Sequence, residues 1–207
     1  MLFSVKGALK NIEYGLVLLG ISLLAYAAVT VVRRDIYQRV ERKKLANLRP
    51  SKDSAKPTGC SIREGSVQAR GSAIGRIDLP RIALSTVIVE GDGDSELKLA
   101  AGHIPGTAFP GESGNIAIAG HRDTVFRALR LIRRNDSLVV STECGQFTYR
   151  VTSTQVVQPA DIRVLYPTKS ETLTLVTCYP FYFVGPAPRR FIVQAERVPS
   201  SAAVTAP

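Results

Sequence analysis

The sequence is poor in the residues that bind metals or cross-link small domains. It contains no tryptophan, one methionine, two histidines and three cysteines. Three cysteines are too few for a disulfide scaffold, and their odd number leaves at least one thiol outside intramolecular pairing. The histidines and cysteines lack C-x-x-C or H-x-x-x-H spacing, which argues against a zinc site. No phosphate-binding glycine loop precedes a helix, so we expect neither a metal nor a cofactor.

Acidic residues are also scarce, but mainly in one part of the chain. The 27 Lys and Arg against 17 Asp and Glu give a net charge of +10. Residues 1–70 hold 13 basic and 5 acidic residues, whereas residues 71–207 hold 14 and 12. The nearly balanced second part argues against a nucleic-acid-binding domain, and the basic first part favours a membrane surface.

A long apolar segment lies near the amino terminus. Residues Tyr14 to Val32 form an uncharged run of 19 residues. As a helix this run reaches ~28 Å, close to the ~30 Å hydrocarbon thickness of a bilayer. A buried core helix and a signal peptide are the alternatives, and Ala25-Tyr26-Ala27 resembles a cleavage site, although apolar sequence continues past it. We predict an uncleaved single transmembrane helix over 12–34.

The regions around this helix are assigned from composition. We predict a short tail over 1–11, a basic helical extension and linker over 35–71, a folded domain over 72–199 and a flexible tail over 200–207. Taken alone, the positive-inside rule places the chain that follows Arg33 and Arg34 in the cytoplasm. Large carboxyl-terminal domains translocate regardless of nearby charge, so this rule does not decide the side.

The folded domain has the pattern of an all-β protein. Short runs rich in Val, Ile, Thr, Phe and Tyr alternate with Gly, Pro, Asp and Asn, which predicts strands joined by turns. The predicted strands are Ile74–Leu79, Ile82–Glu90, Asn115–Ala119, Ser137–Ser141, Phe147–Val157, Thr172–Cys178 and Phe191–Val198. Only Glu96–Ala101 and Val125–Ile132 have a helical pattern. A β-barrel or sandwich with small helical insertions is expected.

Two residues at predicted strand ends are candidates for chemistry. Cys178 ends a strand and is followed by Tyr179-Pro180, which can place a thiol at the mouth of a barrel. The alternative is a buried thiol that acts as a small hydrophobic residue. His121 follows a strand and Gly120, where a histidine can serve as an acid or base. The alternative is a solvated histidine in a turn.

Other polar residues carry weaker signals. His103 lies in a loop rich in Gly and Pro, where it could line a groove or cap the loop. Arg189 and Arg190 precede the last strand, and either could be a solvated charge or could bind a substrate carbonyl or an oxyanion. Cys144 lies in an expected hairpin turn, which favours a non-functional role.

Five segments, in this order, resemble the sortase family and are most similar to its class D group. They are Gly102-His103-Ile104-Pro105-Gly106-Thr107, Pro110-Gly111-Glu112-Ser113-Gly114-Asn115, Ile118-Ala119-Gly120-His121-Arg122-Asp123-Thr124, Thr174-Leu175-Val176-Thr177-Cys178-Tyr179-Pro180 and Arg190-Phe191-Ile192-Val193. No single segment is diagnostic, but the combination is highly specific. The resemblance implies an eight-stranded β-barrel tethered to the membrane by the amino-terminal helix.

The same resemblance implies a Cys–His–Arg site. Cys178 matches the nucleophile, His121 the acid/base and Arg190 the arginine, with Arg189 as the alternative if the register slips by one residue. Thr177 and His103 are weaker matches to substrate-binding positions. The implied reaction cleaves an LPxT-like sorting signal through a thioacyl-enzyme and transfers the acyl group to an amine of a peptidoglycan stem or a pilin lysine.

Two other functions remain open at this point. On the same site, water instead of an amine could resolve the acyl-enzyme, which would make the protein a cysteine endopeptidase. The barrel could also be a non-catalytic, membrane-tethered binding module. The resemblance favours the transpeptidase, located in the cell membrane with its catalytic domain on the extracytoplasmic side.

Overall fold

A computed structural model describes residues 2–47, 68–183 and 185–199. The chain divides into two compact units, Met1–Tyr37 and Gln38–Pro207. Most of the predicted linker and the whole predicted tail over 200–207 lie outside the described residues, as does Cys60.

Helix α1 extends over Leu2–Asn47 without interruption. Its apolar stretch, Lys10–Val40, is the one candidate membrane span among the described residues, by length and composition. Leucine side chains such as Leu18 and Leu24 are 66% and 73% exposed. An apolar surface of this kind needs a non-aqueous partner, which a bilayer supplies. The predicted amino-terminal helix is confirmed as a helix that can cross a membrane.

The remaining elements form a closed β-barrel, which confirms the predicted fold class. Around the barrel the described strands follow the order β1-β2-β3-β4-β7-β8-β6-β5. Most neighbours are antiparallel, but β2 with β3 and β4 with β7 are parallel. The strands are β1 Ala73–Leu79, β2 Leu84–Glu90, β3 Ala101–His103, β4 Asn115–Gly120, β5 Ser137–Thr142, β6 Gly145–Val157, β7 Thr172–Tyr179 and β8 Arg189–Arg197.

The barrel interior holds the hydrophobic core. On β7, Leu173 and Leu175 belong to the core cluster, and the alternate positions hold the fully buried Thr174 and the half-buried Val176 and Cys178. This alternation follows from the two-residue period of a strand, which sends successive side chains to opposite faces. Cys178 is therefore on the outer face of the barrel wall.

Two local predictions were wrong in detail. The strand predicted to begin at Ile82 begins at Leu84, because a short 3-10 helix, Pro80–Ile82, comes first and ends at Ala83 with a left-handed φ of 50°. The helical pattern over Glu96–Ala101 corresponds to a shorter helix, α2, at Asp94–Leu97. Ala101 instead opens the three-residue strand β3, which is too short to give a period of its own.

Strand direction gathers several chain segments at one end of the barrel. Strands β4 and β7 end there, at Gly120 and Tyr179, and β8 begins there, at Arg189. The connection 121–136, which contains the 3-10 helix Arg127–Leu131, also starts at this end. The residues that follow β4, those that end β7 and those that begin β8 are thus brought together.

Candidate active site

Cys178 and Arg190 are direct cross-strand neighbours. The antiparallel register of β7 and β8 pairs Cys178 with Arg190, and two positions further in it pairs Val176 with Ile192. Directly paired residues of antiparallel strands project from the same face of the sheet. The thiol and the guanidinium therefore share the outer face, and Val176 and Ile192 form an apolar floor beside them.

His121 joins this pair through the parallel strands β4 and β7. Gly120 is paired with Thr177, so His121 and Cys178 each follow a paired residue on neighbouring strands. The His121 carbonyl accepts hydrogen bonds from the Phe126 N–H at 3.0 Å and the Thr124 N–H at 3.4 Å, which fixes the turn after the strand. This backbone geometry holds His121 beside the end of β7.

Gly120 allows the strand to approach the aromatic core at this turn. A Cβ at Gly120 would lie 2.6 Å from Cδ2 of Phe126, closer than real Cβ contacts. The Phe126 ring is fully buried and cannot move aside freely. Glycine is therefore required for space immediately before His121.

One open groove contains all three predicted catalytic residues. Its walls come from the β2–β3 connection, from Ile104, and from the segment between β6 and β7 with the 3-10 helix Ile162–Leu165. The floor is apolar, with Ala119, Val176 and Ile192 from three adjacent strands. Such a groove suits an extended peptide with apolar side chains, and Cys178, His121 and Arg190 lie along it.

Two carboxylates also line the groove. Asp92 comes from the β2–β3 connection and Asp161 from the segment between β6 and β7. Arg163 donates two hydrogen bonds of 2.8 Å to Asp161, from Nε and Nη2. These bonds hold the pKa of Asp161 below its ordinary value, so this carboxylate stays ionised in mildly acidic solution.

The two adjacent arginines have different surroundings. Arg190 is half-buried and lines the groove, and its Nη1 donates to the carbonyls of Ala187 at 3.2 Å and Arg189 at 3.1 Å. Arg189 is exposed and is paired with Tyr179. The geometry favours Arg190 as the arginine of the site.

Thr177 is buried, with 2% of its surface exposed, although it contributes to the groove lining. Its hydroxyl donates a 2.7 Å hydrogen bond to the carbonyl of Gly120. This bond ties the residue before Cys178 to the residue before His121. The hydroxyl thus holds the two strand ends at a fixed separation.

His103 lies at the end of β3 and is almost fully buried. Its Nδ1 is 2.8 Å from a Glu90 carboxylate oxygen, and its Nε2 is 3.0 Å from the Ala108 carbonyl and 3.1 Å from the Thr107 hydroxyl oxygen. Because the Thr107 hydroxyl donates to the Ile104 carbonyl, both neighbours of Nε2 act as acceptors, and Nε2 carries a proton. The ring also stacks on Phe109.

The two described cysteines differ in chemical state. Cys178 is a free thiol and half-buried at the groove. Cys144 is disulfide-bonded and lies in the hairpin turn between β5 and β6, the position that the sequence predicted. A bonded sulfur is not a nucleophile, so among the described cysteines only Cys178 has a thiol available for such a role.

The sequence did not single out two contributors to this region. Arg122 follows His121 and donates hydrogen bonds to three carbonyls after Cys178, at 58 to 63 residues' separation. The 3-10 helix Ile162–Leu165 supplies apolar groove wall. The apolar residues after Asp161 were a weak signal for this groove wall, whereas no local pattern reveals the partners of Arg122.

Among the described residues, no group of three or more His, Cys, Asp or Glu side chains could hold a metal.

A closed β-barrel with a free thiol, an imidazole and a guanidinium in one open groove has the architecture of a cysteine-dependent acyl-transfer enzyme. The family model described as Sortase domain matches residues 77–198. The chain belongs to the sortase family, whose members are cysteine transpeptidases, and the predicted family is confirmed.

Individual relatives agree with this assignment. The chain is 33% identical over 165 residues to Sortase D of Bacillus subtilis (strain 168), covering 78% of this chain and 83% of that protein. It is similar to the structure of a Clostridium perfringens Sortase D5 transpeptidase, with a TM-score of 0.64 and 29% identity, covering 80% of this chain and 98% of the other. A C. perfringens sortase C with the C-terminal cell wall sorting motif has a TM-score of 0.61 and 25% identity, covering 67% and 77% of the two chains.

Proposed function

We propose that this protein is a membrane-anchored sortase that uses Cys178, His121 and Arg190 to cleave an LPxT-like sorting signal and to join the product to an amine. The observation that carries this proposal is that these three residues line one groove, where Cys178 has a free thiol and is the cross-strand neighbour of Arg190. The apolar floor beside Cys178 suits the leucine and proline of such a signal.

The first half-reaction forms a thioester. The thiolate of Cys178 attacks the carbonyl carbon that follows the threonine of the signal, and the new C–S bond leaves a negative charge on the carbonyl oxygen. Arg190 donates hydrogen bonds to that oxygen or orients the peptide. The C–N bond then breaks, and protonated His121 gives its proton to the departing amine.

The second half-reaction releases the product. An acceptor amine enters the groove, and neutral His121 removes a proton as the nitrogen attacks the thioester carbon. The C–S bond breaks and restores the Cys178 thiolate and the protonated His121. One amide bond replaces another, with no oxidation or reduction. The acceptor we propose is a peptidoglycan stem amine or a pilin lysine.

Thr177 and His103 have supporting parts in this proposal. The Thr177 hydroxyl bonds Gly120 and keeps the ends of β4 and β7 together. His103 bonds both Glu90 and the loop at Ala108, and its neighbour Ile104 lines the groove. The substrate-binding role predicted for His103 stays a prediction, in the indirect form that His103 fixes the wall at Ile104.

We place the barrel on the extracytoplasmic side of the cell membrane, because sorting signals and their acceptors occur at the cell surface. Helix α1 supports this proposal, because its Lys10–Val40 stretch is long and apolar enough for a single pass. A periplasm-active reporter fused at the carboxyl terminus tests this orientation. A signal from a cytoplasm-active reporter at the same position, with none from the first, would contradict it.

The reaction itself is tested on the full chain in detergent micelles. The protein is incubated with a panel of LPxT-type peptides, and intact-mass spectrometry follows the covalent adduct, which we expect on Cys178 and not in Cys178→Ala. An adduct mapped elsewhere would refute the site. Product analysis with and without an added amine then separates transfer from hydrolysis. Peptide release as free acid alone, at saturating amine, would identify an endopeptidase.

A further inference from the structure

Arg122 connects the two segments that carry the reactive groups. Its Nη1 donates to the Pro180 carbonyl at 2.9 Å, and its Nη2 donates to the carbonyls of Phe183 at 2.7 Å and Gly185 at 3.0 Å. Its guanidinium also lies 5.8 Å from the centre of the Phe183 ring. One side chain therefore holds three carbonyls of the loop that joins β7 to β8.

The positions of these partners in the chain give the contact its importance. Arg122 directly follows His121, while the three carbonyls belong to the loop between Cys178 and Arg190. The Arg122 backbone is itself restrained, because the His121 carbonyl accepts from Phe126. A shift of the loop relative to the turn at His121 would thus stretch three charge-assisted hydrogen bonds, which are the stronger kind.

The chemistry of arginine suits this task. Its planar guanidinium presents five N–H donors in a fixed fork, whereas a lysine ammonium is a point charge on a flexible stem. The three carbonyls lie beyond Tyr179 and before Arg189, so strand pairing does not supply donors to them, although the Pro180 carbonyl also accepts from the Phe183 N–H at 3.4 Å. Arg122 donates the hydrogen bonds that strand pairing does not supply.

We propose that Arg122 is a positioning residue, which sets the separation of the His121 imidazole from the Cys178 thiol and the Arg190 guanidinium by holding the β7–β8 loop against the turn after β4. This inference rests on the proposed function for its catalytic consequence. Arg122 does not touch the groove floor and takes no part in proton transfer. Its effect reaches the reaction through geometry alone.

The test compares Arg122→Ala, Arg122→Lys and a matched control, Arg130→Ala. Arg130 contacts the same loop, at the Tyr182 ring 5.9 Å away, but donates no hydrogen bond to the loop backbone. Loss of alignment by about 1 Å costs on the order of 100-fold in rate. We expect Arg122→Ala to lower kcat for acyl-enzyme formation roughly 10- to 100-fold, Arg122→Lys to recover part of the loss, and Arg130→Ala to stay within about 3-fold of the parent.

A second readout does not depend on transpeptidation. The rate of Cys178 alkylation by iodoacetamide is measured against pH in the full chain, since that profile reports the ionisation of the thiol beside its imidazole. The other titratable groups of the groove are Asp92, Asp161 and Arg190. We expect the pH dependence of the alkylation rate to differ from that of the parent in Arg122→Ala and to match it in Arg130→Ala. This difference is expected even where both substitutions lower the melting temperature.

The outcomes separate this inference from the proposed function. Equal profiles and equal kcat for the two alanine variants would overturn the positioning role. If the parent forms no acyl-enzyme with any peptide, the proposed function fails, while the alkylation profiles still decide the positioning role. If Arg122→Ala does not fold, Arg122→Lys provides the comparison, and a parent-like profile in that variant together with parent-like kcat would refute the inference.

Discussion

The difference between Arg189 and Arg190 illustrates how much one residue of register decides. Both side chains carry the same charge, and they differ by one position on β8. Only Arg190 is paired with Cys178 and lines the groove. Because successive residues of a strand face opposite sides, Arg189 cannot replace its neighbour without a slip of the whole strand.

This asymmetry predicts unequal effects of two matched substitutions. Removal of a positioned oxyanion donor costs on the order of 100- to 1,000-fold in kcat. We expect a loss of about that size for Arg190→Ala, and a change within about 3-fold for Arg189→Ala. Single-turnover acylation with an LPxT-type peptide measures both. A larger loss for Arg189→Ala would exchange the two assignments.

The sequence predicts some of these residues and not others. Cys178 and His121 lie at the ends of recognisable strands, so their place at one end of the barrel follows from local pattern. The choice between Arg189 and Arg190 depends on register, which local pattern leaves uncertain by one residue. The contacts of Arg122 are with carbonyls about 60 residues away along the chain. Every residue has a backbone carbonyl, so the sequence does not show which ones accept these hydrogen bonds.

At the scale of single elements, the turn after β4 depends on the contact between Gly120 and Phe126. Placing a methyl group there drives a Cβ into the buried ring. Overpacking of this kind costs about 1–3 kcal/mol. We expect Gly120→Ala to lower the free energy of unfolding by about that amount and to slow acylation, because the turn carries His121.

Chemical denaturation and single-turnover acylation measure the two effects of Gly120→Ala. The double variant Gly120→Ala/Phe126→Leu provides the control, since a smaller ring removes the overlap. We expect the double variant to be more stable than the sum of the two single changes. Strict additivity would show that the ring is not the obstacle.

The connection between β4 and β5 is held to the 3-10 helix Pro80–Ile82 by one ion pair. Arg81 donates to the Asp136 carboxylate from Nε and Nη2, and also to the Leu131 carbonyl. The hydrogen bond from Arg81 holds the pKa of Asp136 below its ordinary value. A carboxyl with a lowered folded-state pKa stabilises the fold above its unfolded pKa, and this contribution disappears as pH falls through the folded pKa.

The sign of that linkage gives a prediction for Asp136→Asn. Because the pair is partly exposed, we expect a decrease in melting temperature of roughly 1–3 °C near neutral pH. The difference between the parent and the variant shrinks as the pH falls below about 4, where the unfolded carboxyl is protonated. Calorimetry at several pH values measures this, with Glu143→Gln as an exposed-carboxylate control. A difference independent of pH would contradict the assignment to charge.

Element boundaries were predicted well where the strand period is long and poorly where it is short. The strand β7 alternates over eight residues and was recognised. The strand β3 has three residues, and its pairing with β2 and β4 exists only in the closed barrel. The 3-10 helix before β2 follows from Pro80, which a pattern of apolar residues alone conceals.

At the scale of the whole molecule, the apolar surface of α1 predicts how the protein partitions. An arginine at the centre of a membrane-spanning helix costs about 2.5–3.5 kcal/mol on insertion scales. We expect the double variant Leu19→Arg/Leu24→Arg to move from the carbonate-resistant membrane pellet to the soluble fraction. The matched control is Leu131→Arg/Val156→Arg, at apolar surface positions of the barrel unit. Retention of the helix variant in the pellet would show that the membrane is not what covers α1.

The strand pattern predicted seven strands and missed β3, the family resemblance implied eight, and neither predicted the order of the strands around the barrel. A barrel and a sandwich fit the same alternating pattern, and the family resemblance decided between them. The decisive pair is β4 with β7, which are parallel and separated by more than 50 residues. Such non-local pairs leave no periodic trace, yet this one brings His121 beside Cys178.

The topology also has a consequence for the timing of activity. Strand β8, last among the described strands, bridges β7 and β6, and it brings Arg190 with it. Synthesis delivers a chain from its amino end. Cys178 and His121 are therefore synthesised before β8, the strand that closes the barrel between β7 and β6. The groove that Arg190 lines is therefore complete only once β8 has paired with both β6 and β7.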